Sequence, residues 1–186
     1  GADVLRGGDG NDVIYARGGS DIVYGGKGND TIIGDARSHV MFGEDDNDKI
    51  TGHGVLVGGA GSDTLVATGS RNVLIGGVDA DQLTAALGGD LLIGGTTNFD
   101  ANITALKAIL AEWSAALAVN TRIARLTGSL SGGLNGSFYL VSDAVRPGTV
   151  HDDLAIDTFT NTFAEDWLFV FPGDRRTRQV GSVNHS

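Results

Sequence analysis

The sequence contains no cysteine, which excludes a disulfide scaffold, a thiolate metal site and a cysteine nucleophile. It has only two prolines and no Gly-X-Y period, so a collagen-like triple helix is excluded as well. No apolar run approaches the roughly 18 residues that a membrane-spanning helix requires. The sequence also has no HExxH, GxSxG or P-loop motif. We therefore expect a protein that is not an enzyme, that binds no nucleotide and that does not span a membrane.

Glycine and acidic residues are abundant instead, and both are concentrated in one half of the chain. Glycine accounts for 30 of 186 residues, and 23 of these lie in residues 1–100. The same segment has 15 acidic residues against 6 basic ones, although the whole chain has a net charge of −10. Because an acidic surface repels phosphate backbones and attracts cations, we expect metal ions rather than nucleic acid as partners.

A period of nine residues runs through this glycine-rich half. The clearest units are residues 7–15, 25–33 and 58–66, each with glycines at positions one, two and four and an aspartate at position six. Weaker copies fill the intervals, and the copy that begins at Gly52 is three residues short. Position eight is always aliphatic or methionine. Such a fixed period predicts a repeat architecture.

Each part of the unit has a physical role. Glycines allow the positive φ angles of a tight turn, and the three residues after the aspartate alternate outward, inward and outward, as in a short strand. Two units then make one coil, and stacked coils form two parallel sheets with the position-eight side chains between them. Successive turns bring carboxylates and turn carbonyl oxygens together, which creates an oxygen-rich cage that suits Ca²⁺.

The unit resembles the calcium-binding nonapeptide of hemolysin-type (repeats-in-toxin) proteins, over residues 1–93. The resemblance implies a mainly β fold, a parallel β-roll or β-solenoid. It also implies Ca²⁺ ions between adjacent turns, bound by position-six aspartates and glycine carbonyls. We expect the metal ligands to be Gly8, Gly10, Asp12, Gly26, Gly28, Asp30, Asp46, Asp48, Gly59, Gly61, Asp63 and Asp81, with Asp3 and Asp21 on the opposite side.

Alternate units fall on alternate sides of such a roll, and the two sides differ. One side has an unbroken series of position-six aspartates from Asp12 to Asp81, whereas the other has Asp3 and Asp21 followed by His39 and a short unit. We therefore predict four or five calcium ions along the first side and at most one on the second. His39 and His53 could indicate a transition metal, but without a third ligand we interpret them as turn residues.

The outward positions of one predicted sheet are apolar in eleven of twelve cases, whereas those of the other sheet are mixed. An apolar outer face predicts a sheet that is buried on both sides. We expect its cover to be a helix from Asp100, a candidate N-cap, to Val119, with Leu110 and Trp113 facing the sheet. A partner chain is the alternative cover.

Residues 98–186 have an ordinary composition, and we predict a second region there after a calcium-binding roll at residues 1–97. The sequence predicts a short helix at 122–126 and a strand at 138–141. It also predicts two degenerate rungs at 157–160 and 166–169, which cap or extend the roll. Such an arrangement resembles the C-terminal extensions behind these repeats in large secreted bacterial surface proteins. We interpret Arg175, Arg176 and Arg178 as a basic tail, and His151, Asp152 and Asp153 as a solvated loop.

Three classes of function fit these observations. The first is a secreted structural or adhesive solenoid that is stiffened by calcium and associates with copies of itself, head to tail, as a filament. The second is the calcium-dependent folding and secretion module of a larger exported enzyme or toxin. The third is an enzyme or lectin built on the C-terminal half. Because the chain begins with Gly1 rather than Met, we expect it to be processed or to adjoin other domains of a longer chain.

Overall fold

The computed structural model describes residues 1–142, 148–161 and 165–178. Its strands are β1 (Val4–Asp9), β2 (Val13–Ala16), β3 (Ile22–Lys27), β4 (Thr31–Asp45), β5 (Lys49–Ala60), β6 (Thr64–Ala67), β7 (Val73–Val78), β8 (Gln82–Thr84), β9 (Leu91–Ile93), β10 (Thr96–Thr97), β11 (Val150–His151), β12 (Thr158–Asn161), β13 (Trp167–Phe169) and β14 (Arg175–Arg178). The helices are α1 (Ile103–Ser114) and α2 (Val119–Leu126). The fold is mainly β, as the sequence predicts.

The strands wind into a parallel roll with two faces. One face, which we call the covered sheet, contains β1, β3, the later parts of β4 and β5, then β7, β9 and β13. The other face, the open sheet, contains β2, the earlier parts of β4 and β5, then β6, β8, β12 and β14. β4 and β5 run around a corner and belong to both faces.

A single file of apolar side chains fills the space between the two sheets. These are the position-eight residues of the repeat, and from Val23 to Leu92 every one of them is fully buried. Phe159 continues the file in β12 and is fully buried too. The inward position of a three-residue strand therefore determines the core, as the repeat predicts.

The short unit at Gly52 is accommodated at a corner of the roll. β4 and β5 pair in register up to Ile33 and Thr51, and pairing resumes between Ser38 and His53. The four residues from 34 to 37 thus lie opposite a single glycine, and the register of the sheets on both sides is kept.

The helices cover the outer face of the covered sheet. Leu106, Ile109 and Trp113 of α1 are buried in one cluster with the outward residues of the sheet, from Val40 to Ile93. Leu110 packs against the same cluster. The predicted helical cover is therefore confirmed. None of the helices in the described part of the chain is long and apolar enough to cross a membrane.

The predicted helix boundaries were wrong at both ends. Asn102, not Asp100, caps α1, because its side-chain oxygen accepts the Ala105 N–H at 3.1 Å. Asp100 instead accepts the backbone N–H of Thr97 at 2.8 Å and the Thr97 hydroxyl. α1 ends at Ser114, where the guanidinium of Arg71 donates to the last carbonyl oxygens, and α2 is a separate helix.

The predicted strand at 138–141 is not formed. The Leu140 N–H donates to the carbonyl of Leu126 at the end of α2, and Val141 exchanges hydrogen bonds with Thr149. These backbone groups therefore bond to the helical segment and its return loop instead of a strand ladder. Leu140 is nevertheless buried against the covered sheet.

Both predicted closing rungs are present. Residues 158–160 pair in parallel with β8, and residues 167–169 pair in parallel with β9. The prediction of a basic tail was wrong, because Arg175–Arg178 forms β14 and pairs in parallel with β12.

Candidate metal centre

The turns that precede the open-sheet strands form one edge of the roll, which we call the aspartate edge. From Asp30 onward, each position-six aspartate there uses Oδ1 to accept the backbone N–H of the aspartate one coil earlier. The donor–acceptor distances are 2.7 Å for Asp12 to Asp30, Asp30 to Asp48 and Asp48 to Asp63, and 2.8 Å for Asp63 to Asp81. The ladder continues from Asp81 to Asp157 at 2.9 Å and from Asp157 to Asp174 at 3.1 Å.

The second carboxylate oxygen of the aspartates from Asp12 to Asp157 has no partner. Oδ2 is buried and without a hydrogen bond in Asp12, Asp30, Asp48, Asp63, Asp81 and Asp157. Buried polar atoms are nearly always hydrogen-bonded, and leaving one unpaired costs about 1–3 kcal/mol. A regular file of such atoms makes this edge a candidate site for a cation.

Glycine carbonyl oxygens lie beside these free oxygens. A Cβ atom added to Gly25 would overlap both Asp30 Oδ2 and the carbonyl oxygen of Gly43. The same pair of neighbours, one aspartate oxygen and the first glycine carbonyl of the next coil, surrounds Gly7, Gly43, Gly58 and Gly76. The edge therefore presents carboxylate and carbonyl oxygens in a repeating cradle, which are the donors that Ca²⁺ prefers. The residues present fit calcium.

Negative charge is unfavourable in this position without a cation. Burial raises the pKa of Asp48 and Asp63 to about 7, and neighbouring carboxylates add to the effect. Burial raises the pKa of Asp81 to about 9 and that of Asp157 to about 6, and in both cases the charge of Asp153 contributes. A bound cation would offset both the desolvation and the repulsion.

The predicted glycine ligands all lie in the turns of the aspartate edge and have positive φ angles. These are Gly8, Gly10, Gly26, Gly28, Gly59 and Gly61. The turn from Gly43 to Asp48 has Glu44 and Asp46 in the equivalent positions, with φ of 82° and 76°. Asp46, which the sequence predicts as a ligand, directs Oδ2 to the Gly28 N–H at 3.1 Å and is exposed to solvent.

The opposite edge, which we call the mixed edge, makes its own hydrogen bonds. Asp90 accepts from the backbone and the side-chain amide of Asn72 through Oδ1 and from the Ala86 N–H through Oδ2. The Asn72 oxygen in turn accepts the Gly54 N–H at 2.8 Å. Amide donors thus occupy positions where the aspartate edge leaves carboxylate oxygens free. Asp3 and Asp21 are also adjacent, and Asp21 Oδ1 accepts the Asp3 N–H at 2.9 Å.

His39 is not the plain turn residue that the sequence suggests. It is completely buried, and its Nδ1 accepts the Asp21 N–H at 3.1 Å while its Nε2 lies 3.1 Å from Asp35 Oδ1. His39 therefore takes the place of a position-six aspartate.

The Nδ1 atom of His53 lies near the Thr68 carbonyl and the Asn72 side-chain oxygen, both acceptors, so this nitrogen carries the proton.

No group of three or more His, Asp or Glu side chains able to hold a metal ion occurs within residues 1–142, 148–161 and 165–178. The sequence predicts a solvated loop at residues 151–153, but the Oδ2 atom of Asp153 is buried. Asp152 and Asp153 accept backbone N–H groups two residues later in the chain, and the His151 ring lies 2.8 Å from Asn98 Oδ1.

A comparison with protein families identifies the repeat. Residues 1–32 and 57–92 match the family model of the RTX calcium-binding nonapeptide repeat (4 copies). The chain carries RTX calcium-binding repeats. Residues 33–56, between the two matched RTX segments, do not match the family model. They contain His39 and most of the short unit, which are the irregular parts of the roll. Neither curated proteins nor solved structures gave a match to the chain.

The sequence did not indicate that Asp157 and Asp174 extend the aspartate file of the RTX repeats. Asp157 accepts from Asp81, which is 76 residues earlier, whereas regular neighbours are 18 apart. The predicted rung at 157–160 was the one signal that could have revealed Asp157. Asp174 closes the file, because its Oδ1 accepts from Asp157 and its Oδ2 accepts the Phe171 N–H at 2.7 Å.

Proposed function

We propose that this chain is a secreted, non-catalytic structural module that folds when calcium binds along the aspartate edge of its β-roll. The file of buried Oδ2 atoms without partners carries the proposal. RTX repeats bind calcium, and the side chains here supply one free carboxylate oxygen for each coil.

The calcium ions lie in the gaps between successive aspartates. Asp12, Asp30, Asp48, Asp63 and Asp81 bind them together with carbonyl oxygens of the turn glycines. Each ion neutralises carboxylates that would otherwise lie about 5 Å apart with nothing between them. Binding to the folded state alone contributes about 2.7 kcal/mol for each independent ion at a hundredfold excess over its Kd.

The mixed edge takes at most one ion, between Asp3 and Asp21. Elsewhere on that edge, the side chains of Asn72 and His39 make the hydrogen bonds between successive turns. Metal ions therefore stabilise one edge of the roll, and amide and imidazole side chains stabilise the other.

Calcium dependence suits a protein that is folded outside the cell. Weak oxygen-ligand sites fill at extracellular millimolar calcium and stay empty at cytosolic concentrations. The glycine-rich turns lose much conformational entropy on ordering, so the free chain stays unfolded until it meets calcium.

Circular dichroism in buffered calcium tests the proposal. We expect the β signal to be lost in excess EDTA, to return with millimolar Ca²⁺, and not to return with equimolar Mg²⁺, which demands a near-octahedral arrangement of ligands. A β spectrum that is the same in EDTA and in calcium would refute the proposed function.

The ends of the roll support head-to-tail self-association. In the described part of the chain, β2 and β14 each pair on one side only. Arg175 and Arg176 of β14 are exposed, and the first turns carry Asp3 and Asp9, also exposed. Opposite charges at the two ends favour heterologous contacts, which propagate into filaments.

Light scattering in millimolar calcium tests this self-association. Growth with protein concentration supports a filament, whereas a monomer at high concentration favours a folding module within a longer exported chain.

A further inference from the structure

The helical segment is inserted inside one turn of the aspartate edge. In the complete turns, the first glycine packs against Oδ2 of the aspartate that ends the turn, as Gly58 does with Asp63 and Gly76 with Asp81. Gly94 lies in the position that follows Gly76, and the Oδ2 atom that it meets belongs to Asp157. Gly94 and Asp157 are thus the first and last residues of a single turn, although the whole helical segment separates them in sequence.

The chain leaves and re-enters the roll at the same point. Directly after Gly94, β10 pairs antiparallel with β11, the strand that brings the chain back. The backbone of Gly95 approaches the His151 carbonyl so closely that a Cβ atom would overlap it. This two-stranded ribbon bridges the opening in the turn and leaves Asp157 in register with Asp81.

Asp157 repeats the geometry of the regular aspartates. It is completely buried, its Oδ1 accepts the Asp81 N–H at 2.9 Å, and its Oδ2 has no partner. The carbonyl oxygen of Gly94 lies beside Gly76 and Asp81. In the preceding coil, the carbonyl oxygen of Gly76 lies in the same way beside Gly58 and Asp63. The Asp153 carboxylate lies near enough to raise the pKa of both Asp81 and Asp157.

We propose that Asp81, Asp157 and the Gly94 carbonyl form a calcium site in this interrupted turn, and that calcium binding there fastens the helical segment to the roll. Asp153 lies beside the site and adds negative charge. The inference rests on the proposed function, but it concerns residues outside the matched repeat segments. The unpartnered Oδ2 of a fully buried Asp157 distinguishes this place from an ordinary acidic cluster.

Calcium binding at this site would also affect the docking of the inserted helical segment, because that segment crosses the covered sheet to the mixed edge. There the indole N–H of Trp113 donates to the Gly89 carbonyl at 3.1 Å, and its ring lies 6.0 Å from that of Trp167. The buried guanidinium of Arg122 stacks over Trp113. These are the two tryptophans of the chain, so their fluorescence reports whether the segment is docked.

The experiment compares the full chain with Asp157→Asn and with the control Asp152→Asn, which removes a charge that acts on Asp157 but none of the oxygens of the proposed site. Asparagine at 157 retains an oxygen that can accept the Asp81 N–H but lacks the second carboxylate oxygen. Bound calcium is counted by equilibrium dialysis, and hydrogen exchange is measured for residues 103–126. We expect Asp157→Asn to bind about one ion fewer, to exchange faster in the helices at the same calcium concentration, and to change its tryptophan emission. We expect Asp152→Asn to bind as many ions as the unaltered chain and to protect the helices equally.

Each outcome decides a different point. If Asp157→Asn binds as many ions as Asp152→Asn and protects the helices equally, the inference is wrong while the proposed function stands. If the unaltered chain binds no calcium, the proposed function fails first. Should Asp157→Asn not fold in calcium, the milder Asp153→Asn provides the test. Unchanged affinity and unchanged helix protection in that variant would overturn the inference.

Discussion

The backbone N–H of Asp81 donates to Oδ1 of Asp157 at 2.9 Å, although 76 residues separate the two in sequence. This hydrogen bond has the same geometry as the bonds between aspartates that are 18 residues apart. The aspartate edge is therefore continuous across the helical insertion. Its buried carboxylates are the basis of the following predictions.

Asp48→Asn should weaken calcium binding in the centre of the edge. Asp48 borders two gaps, and asparagine removes the charge and one oxygen while it retains an acceptor for the Asp30 N–H. We expect the loss of about one to two ions. Asp45→Asn is the matched control, because Asp45 is exposed. Isothermal titration calorimetry measures both variants, and equal stoichiometry would contradict the assignment.

Acidification should stabilise the calcium-free roll. The folded-state pKa of Asp48 and Asp63 is raised from 3.8 to about 7, and that of Asp81 to about 9. The folded state therefore binds protons more tightly than the unfolded chain. The stability from these groups is fully present below about pH 4 and is lost as the pH rises through 7 to 9. In saturating calcium we expect the opposite trend, because protons compete with the metal.

Circular dichroism of the metal-free chain and thermal melts of the calcium-saturated protein, both between about pH 5 and pH 9, measure this difference. A β signal of the metal-free chain that does not rise on acidification would show that the carboxylates are not buried as described.

His39→Ala should destabilise the roll without changing the number of bound calcium ions. It leaves the buried Asp21 N–H without its acceptor, which costs about 1–3 kcal/mol. His39→Asn is the control, since its side-chain oxygen can accept the same hydrogen bond, as Asn72 does for Gly54. Urea denaturation in calcium measures the free energy of unfolding. A stability loss in the alanine variant that asparagine does not reduce would argue against this role.

Glu44→Gly should stabilise the calcium-bound roll by about 0.5–1 kcal/mol, because Glu44 has a φ of 82° at a position where regular units have glycine. Its side chain is exposed, so little packing is lost. Glu44→Ala is the comparison: alanine keeps the strained backbone angle and should give no gain. The melting temperature of both variants in millimolar calcium distinguishes relief of strain from a simple effect of charge.

The sequence predicted most of the roll because a strict period fixes both the turns and the core. The positions from Asp12 to Asp81 and the covered sheet follow from counting in nines and from the apolar outer positions. Asp157 did not follow, because an insertion breaks the count and only the register of β12 with β8 restores it.

Local chemistry explains the other differences. Asp100 and Asn102 are both good N-cap residues, and the competing bonds from Thr97 to Asp100 decide between them. The role of His39 depends on which ring nitrogen faces the Asp21 N–H, and a residue type alone does not specify this.

Anomalous diffraction from crystals grown in calcium tests the central claim most directly. We predict a row of calcium ions in the gaps between successive aspartates from Asp12 to Asp157, each within bonding distance of a carboxylate oxygen that lacks a partner in the present structure. We predict at most one ion on the mixed edge, beside Asp3 and Asp21. Equal numbers of ions on the two edges, or a folded roll with none on the aspartate edge, would contradict the account.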